Sequence, residues 1–326
     1  WNGSIKEMEP LIGKSFAARF EDFQKTFDIQ KYEDELIEKK ISYVCLSEKE
    51  YPQRLKKIKN PPIILFVKGS IDFNSDKKFL AIVGTRRITG YGKSVTDLFA
   101  TSLASSGLVI VSGLALGVDV QAHISCLDIG GKTIAVMGNG VDVCYPHENQ
   151  KIYDRILENN GAIISELPPG EPPNVGSFPS RNRIVAGLSD GVLVTEGAQD
   201  SGSLITANFG LEFGRKVFAV PGPITSSLSA APLRLIEKGA KLVVSPEDVM
   251  RELGIKNYEL RKDDKKFASL TKEELKIVEL IKNEPLQFDE IVRCLNLDSS
   301  KVGTILSMME IKGLIKSSGG NYSIST

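Results

Sequence analysis

From residue 79 onward, short apolar runs alternate with longer segments in which apolar positions recur every three or four residues. The runs FLAIVGT, LVIVSG, KTIAVMGNG, GAIISEL, GVLVTEG, KVFAVPG and KLVVS are nearly continuous in hydrophobicity and too short for buried helices. A strand that is apolar on both faces must be covered on both. Strands of this kind separated by helical segments therefore predict an α/β fold, an extended Rossmann-like doubly wound parallel sheet. Most of these strands finish in Gly, Ser, Thr, Asn or Glu. In doubly wound folds the carboxyl ends of the strands line the ligand crevice, so these polar tips are expected along one edge.

Upstream, residues 1–60 read as short helices, and PPIILFVKG follows as a strand able to join the sheet. Downstream, RELGIKNYELRKDDKKF (251–267) is polar and charge-dense, a linker pattern. In the last sixty residues, TKEELKIVELIKN and FDEIVRCLN predict short helices. SSKVGTILSMMEIKG predicts a longer one capped by Ser299 or Ser300, and LIKSSGGNYSIST a hairpin turning at Gly319–Gly320. Three helices and a hairpin make a winged helix-turn-helix. The expected division is a helical segment over 1–60, a sheet domain over 61–253, a linker over 254–268 and a winged helix over 269–326.

A chain of 326 residues is long enough for two or three domains. Its 41 basic residues equal its 41 acidic ones, and the regions 1–78, 79–250 and 251–326 each stay close to balance. That excludes a grossly basic domain, so anion binding must rest on local clusters. Four cysteines without a CxxC pair, and only two histidines, argue against a structural zinc site. The free thiols suit a reducing compartment, and no signal peptide is legible. Residues 98–118 carry no charge, but Ser, Thr and Gly interrupt them and SSG (105–107) marks a turn. They read as helix, turn and strand, not as a membrane span. The protein is expected in the cytoplasm.

The strand tips hold the candidate chemistry. GTRRITGYGKS places Gly84 and Thr85 where small residues admit a ligand, with Arg86 and Arg87 as forks for phosphate oxygens and Lys93 one turn into the helix. A tight turn with solvated arginines is the plainer alternative. The pattern is not GxGxxG, and the second strand ends in Ser112–Gly113 without the acidic residue a dinucleotide ribose needs. Asp119 and His123 stand four apart on one helical face, a spacing that favours a mutual hydrogen bond over general-base work. At the third tip, Asn139 lies between glycines, Tyr145 either stacks on a base or fills the core, and Asn149 reads as a helix cap.

FPSRNRIVAGL reads as a helix with Pro179 in its first turn and Ser180 as its cap. That leaves Arg181, Asn182 and Arg183 at the positive end of the helix dipole, where cations are disfavoured. Either carboxylates such as Glu196 or Glu166 neutralise the arginines, or an external anion does. At the fifth tip Ser201, Gly202 and Ser203 open a helix, with Thr206 on the next turn. No Ser–His–Asp, HExxH or Cys–His set assembles, so no catalytic residue, metal or cofactor is expected. Gly, hydroxyl, Arg and Asn recur instead at successive tips, which suits a polyanion laid across the crevice.

The blocks VGTRRITGYG, SGLALGVD, GNGVDVCYP, FPSRNRIVAGLSD, TEGAQDSGSLITA and FAVPG stand in the order found in the DNA-processing protein A family (DprA, also called Smf), which residues 50 to 326 resemble. The resemblance implies a Rossmann core that binds single-stranded DNA, and duplex more weakly. It implies an incomplete N-terminal SAM-like segment, a C-terminal winged helix and a homodimer. It further implies a mediator that protects incoming DNA and loads RecA recombinase in natural transformation. Carried over block by block, the DNA-binding candidates are Gly84, Thr85, Arg86, Tyr91, Gly92, Ser112, Gly113, Arg181, Asn182, Arg183, Ser201 and Ser203. Arg87, Asn139, His147, Asn149, Gly202 and Thr206 lie in the same blocks and complete the set.

Two departures stand out. His147 replaces a basic residue common in relatives, and SAAPLRLI, around Ser229–Leu235, replaces a Gly-x-Asn step. A neutral imidazole attracts phosphate weakly. Two other classes compete. A nucleotide-cleaving phosphoribohydrolase would use Glu196 as acid and Arg183 on the phosphate, but the PGGxGT loop of such enzymes is missing. A winged-helix regulator would read duplex DNA with the helix from Ser299 to Lys312, whose basic residues are Lys301 and Lys312 alone.

Overall fold

In the computed structural model, the described residues are 9–10, 13–255, 270–281, 284–295, 297–312, 314–318 and 320–324. They fall into two compact units, one within residues 1–257 and one within 258–326.

The first unit is built on nine strands: β1 (Ile41–Cys45), β2 (Ile64–Gly69), β3 (Phe79–Val83), β4 (Val109–Ser112), β5 (Thr133–Val136), β6 (Ala162–Ser165), β7 (Gly191–Val194), β8 (Lys216–Ala219) and β9 (Lys241–Leu242). They form one sheet in the order β1-β2-β6-β5-β4-β3-β7-β8-β9. The seven apolar runs supply β3 to β9, and all neighbours among these pair in parallel. β2 joins antiparallel to β6, as its apolar run allowed, and β1 joins antiparallel to β2. β1 corrects the expectation of helices alone before residue 60: Ile41 and Val44 are buried in a five-residue edge strand.

Ten helices accompany these strands in the described part of the unit: α1 (Lys14–Thr26), α2 (Ile29–Glu38), α3 (Gln53–Lys56), α4 (Gly90–Ser105), α5 (Val118–Asp128), α6 (Gln150–Glu158), α7 (Ser177–Leu188), α8 (Ser203–Glu212), α9 (Ala230–Glu237) and α10 (Pro246–Glu252). Side chains of β3 alternate between the two layers, as the pleat requires. Phe79, Ala81 and Val83 pack with Ile184, Val185 and Leu188 of α7 and Ala207 of α8. Leu80 and Ile82 pack with Phe99 and Leu103 of α4 and Ala122 of α5. Helices thus cover both faces, the architecture the apolar runs demanded.

α7 begins at Ser177, not at Pro179, so Ser180 lies inside the helix and is not its cap; Gly176 holds that position without a side-chain bond. The expected linker (254–268) lies outside the described residues beyond Ile255. Among the described residues, no helix is long and apolar enough to cross a membrane.

The second unit contains α11 (Lys272–Ile281), β10 (Leu286–Gln287), α12 (Phe288–Leu295), α13 (Ser299–Ile311), β11 (Ile315–Ser318) and β12 (Asn321–Ile324). Its strands order as β10-β12-β11, and Ile277, Ile291, Val302 and Leu306 form its core. The cap of α13 is Asp298, whose carboxylate accepts from Ser300 N at 2.9 Å, and not Ser299 or Ser300. In the expected hairpin turn, Gly320 has φ 84°, a conformation that favours glycine, while Gly319 lies outside the described residues.

Candidate nucleic-acid interface

β3 has β4 on one side and β7 on the other. The chain therefore leaves β3 and β7 in diverging directions, which makes this the topological switch point and opens a crevice at the carboxyl edge. A cleft of about 560 Å³ lies there, walled by the loop after β3, by Gly113, by the start of α7 and by residues 198–206.

The loop after β3 is fixed from beneath. A Cβ on Gly84 would lie 2.5 Å from Val118 Cγ2 and 2.6 Å from the Glu196 carbonyl, so only glycine fits. Thr85 N donates to that carbonyl at 2.7 Å, and Thr85 Oγ1 accepts from Arg87 N at 3.1 Å. Held this way, the loop exposes Arg86 and Arg87. Neither has a carboxylate partner among the described residues, and the Arg86 guanidinium lies 6.0 Å from the Phe178 ring centroid. Phe178 in turn stacks on Tyr145, centroids 5.6 Å apart. Sequence reasoning left Phe178 out. Its one signal was its place beside Pro179 at the head of the arginine block.

Arg181 reaches the floor of the cleft from the second turn of α7 and is 6% exposed. It donates to the Gly113 carbonyl at 2.9 Å, to the Val136 carbonyl, and to Asn182 Oδ1 at 3.2 Å. A Cβ on Gly113 would fall 2.5 Å from its guanidinium. Asp119 accepts from Gly113 N at 3.0 Å. Burial lowers the Arg181 pKa to about 10, against the opposing pull of Asp119, so the cation persists at neutral pH. Burial likewise raises Asp119, with Arg181 pulling the other way.

Arg183 points elsewhere. Both arms of its fork reach Glu166, at 2.7 and 2.6 Å, and its Nε donates to the Asn60 carbonyl at 3.0 Å. An internal carboxylate thus answers for Arg183, and backbone carbonyls answer for Arg181. Glu196 pairs with neither: its oxygens accept from Thr89 N at 3.0 Å and the Thr89 hydroxyl at 2.6 Å.

On the opposite wall, the hydroxyls of Ser201 and Ser203 are 2.8 Å apart and α8 starts behind them with no acidic residue in its first turn. Asn182, Gly202 and Thr206 line the same wall, as does Asp200; Asp119, engaged by Gly113 N, is the other acidic residue of the lining. Asn182 reaches the Gly202 carbonyl at 3.5 Å.

The remaining candidates stand outside this cleft. The Tyr91 hydroxyl donates to the Pro221 carbonyl, and Gly92 packs against Glu196. Ser112 donates to the Ile82 carbonyl at 2.7 Å. Asn139 holds the Gly140 and Val143 carbonyls at 3.0 and 2.6 Å. Asn149 occupies the cap position of α6, yet its side chain donates to the Leu114 carbonyl at 2.8 Å. His147 is exposed and edge-on to Tyr145. Asp119 and His123 do not bond to each other. His123 Nδ1 meets Thr133 Oγ1 at 2.7 Å, and burial pushes its imidazole down to about 3.

In the second unit, Lys301 pairs with Glu273 at 3.1 Å and Lys312 with Glu274 at 2.7 Å. Lys301 of α13 and Lys312 at its C-cap are therefore each partly neutralised by a neighbouring glutamate.

Residues 42–254 match the family described as DNA recombination-mediator protein A, and residues 263–321 the DprA winged helix domain. The chain is 42% identical over 222 residues to DNA processing protein DprA of Bacillus subtilis (strain 168), spanning 68% of this chain and 74% of that one. The X-ray structure of DNA processing protein A from Streptococcus pneumoniae superposes with a TM-score of 0.68 at 37% identity, over 80% of this chain and 88% of the other. DNA processing protein A from Helicobacter pylori, whose structure describes its single-stranded DNA binding mode, gives 0.59 at 33% identity over 65% and 95%. With the sheet unit and the winged helix both matched in sequence order, the chain belongs to the DNA recombination-mediator protein A family, whose members are also named DprA or Smf.

Proposed function

We propose that this protein is a non-enzymatic recombination mediator. It binds single-stranded DNA in the switch-point cleft, protects it, and loads RecA recombinase during natural transformation, acting as a cytoplasmic homodimer. The carrying observation is the Arg86–Arg87 loop, braced from beneath and without a carboxylate partner among the described residues, beside the Tyr145–Phe178 rings and above the buried Arg181. Exposed guanidinium forks suit phosphates, and aromatic faces suit unstacked bases. A single strand can offer both to one cleft, whereas a duplex keeps its bases stacked inside. The binding reported for the Helicobacter pylori relative supports this reading.

Arg86, Arg87, Asn182, Ser201, Gly202 and Ser203 are assigned to direct contact. Gly84, Thr85, Gly113, Arg181 and Thr206 shape the cleft, while Tyr91, Gly92, Ser112, Asn139, His147, Asn149 and Arg183 hold or flank the elements around it. The division into a SAM-like helical segment, sheet domain, linker and winged helix is part of the same proposal, with the winged helix not the main DNA contact. The hydrolase reading is weakened because both Glu196 oxygens are engaged by Thr89.

Equilibrium titration tests this directly. A labelled single strand should bind more tightly than the matching duplex, and a mononucleotide should compete weakly. None should release base, phosphate or fragment. Turnover that disappears in Glu196→Gln would overturn the proposal in favour of the hydrolase.

A further inference from the structure

The first βα unit of a doubly wound fold commonly sets a ligand phosphate against the helix that follows the first strand. Here a side chain of the protein holds that position. Glu196, just beyond β7, is 3% exposed. Its Oε2 accepts from Thr89 N at 3.0 Å, and its Oε1 accepts from the Thr89 hydroxyl at 2.6 Å. The same hydroxyl accepts from Gly92 N at 3.0 Å and caps α4. A Cβ on Gly92 would lie 2.1 Å from Oε2 and 2.7 Å from the carboxylate carbon, so glycine is what admits the carboxylate to the turn. Glu196 has no ion-pair partner among the described residues. Hydrogen bonds and the positive end of α4 balance its charge.

We propose that Glu196 is a positioning residue that fills the phosphate turn of the first βα unit from within. Two consequences follow from the contacts. The inner face of the turn is closed to a nucleotide phosphate, which agrees with the absence of GxGxxG in GTRRITGYG. The backbone of the same residue braces the loop through Thr85 N, so that Arg86 and Arg87 face outward to a polyanion. This second consequence rests on the single-stranded DNA reading of the cleft.

The test is chemical rescue of Glu196→Ala by formate. Removing the side chain leaves an anion-suited turn without its anion, so formate should raise the variant's melting temperature. Wild type should not respond beyond a chloride control at equal ionic strength. The variant should bind a labelled single strand at least tenfold more weakly, and formate should restore most of that loss. A folded variant with wild-type DNA affinity, or one whose stability and affinity both ignore formate, overturns the proposal. Should Glu196→Ala fail to fold, Glu196→Gln keeps the shape but removes the negative charge from the turn and replaces one of the two acceptor oxygens facing Thr89 with an NH2 donor. It should also lose about tenfold, and wild-type affinity in that variant overturns the proposal equally. If wild type itself does not hold single-stranded DNA, the reading of the cleft fails separately, while the melting response of Glu196→Ala to formate still decides the role of Glu196.

Discussion

Arg183→Ala should lower the stability of the protein by about 3 kcal/mol and leave the salt dependence of DNA binding unchanged. Removing one member of a buried ion pair strands the other, at about 3–5 kcal/mol. The side chains of Arg183 and Glu166 are 16% and 25% exposed, so the lower end of that range applies. The fork is bidentate, and the same guanidinium also satisfies the Asn60 and Ser180 carbonyls. For a unit of this size the loss corresponds to a fall in melting temperature of roughly 6–12 °C. Thermal unfolding and oligonucleotide titration at several salt concentrations check both halves. An unchanged melting temperature with a flatter salt slope would return Arg183 to the DNA surface.

The reverse pattern is expected for the loop after β3. Arg86→Ala combined with Arg87→Ala should weaken single-strand binding by about 3 kcal/mol or more, since each charge-assisted contact contributes about 1.5–3 kcal/mol. That is roughly a hundredfold. Each phosphate contact contributes about 0.7 to the log-affinity against log-salt slope for single strands, so the slope should flatten by roughly 1.4. The loss should be similar across base sequences, because phosphate contacts carry no sequence information. Melting should barely move, since both side chains are exposed and neither has an ion-pair partner among the described residues. Unchanged affinity in a normally melting double variant would remove this loop from the interface.

The strands of the sheet were legible because burial on both faces leaves an unmistakable run of apolar residues. β1 escaped because ISYVC is short and follows Lys39–Lys40 in a stretch of helical periodicity. Its buried face became apparent only once paired with β2. The glycines of the strand tips were legible as points of close approach, but not what approaches them. Gly92 faces Glu196 and Gly113 faces Arg181, side chains 104 and 68 positions away in the chain. A sequence cannot tell such a side chain from a ligand. The arginine block posed the choice between internal carboxylate and external anion, and only strand order could decide it by bringing Glu166 at the tip of β6 to Arg183. Helical spacing likewise put Asp119 and His123 on one face. Yet Asp119 is taken by Gly113 N and His123 by the Thr133 hydroxyl, partners from neighbouring strands and their tips that spacing alone does not reveal.

Hydrogen–deuterium exchange with and without a saturating oligothymidine strand tests the location of binding most directly. Slowed exchange is expected in residues 84–92 and 198–206, with none over Ser299–Ile311. Protection confined to α13, with both cleft loops unchanged, would contradict the assignment of single-stranded DNA to the carboxyl edge of the sheet.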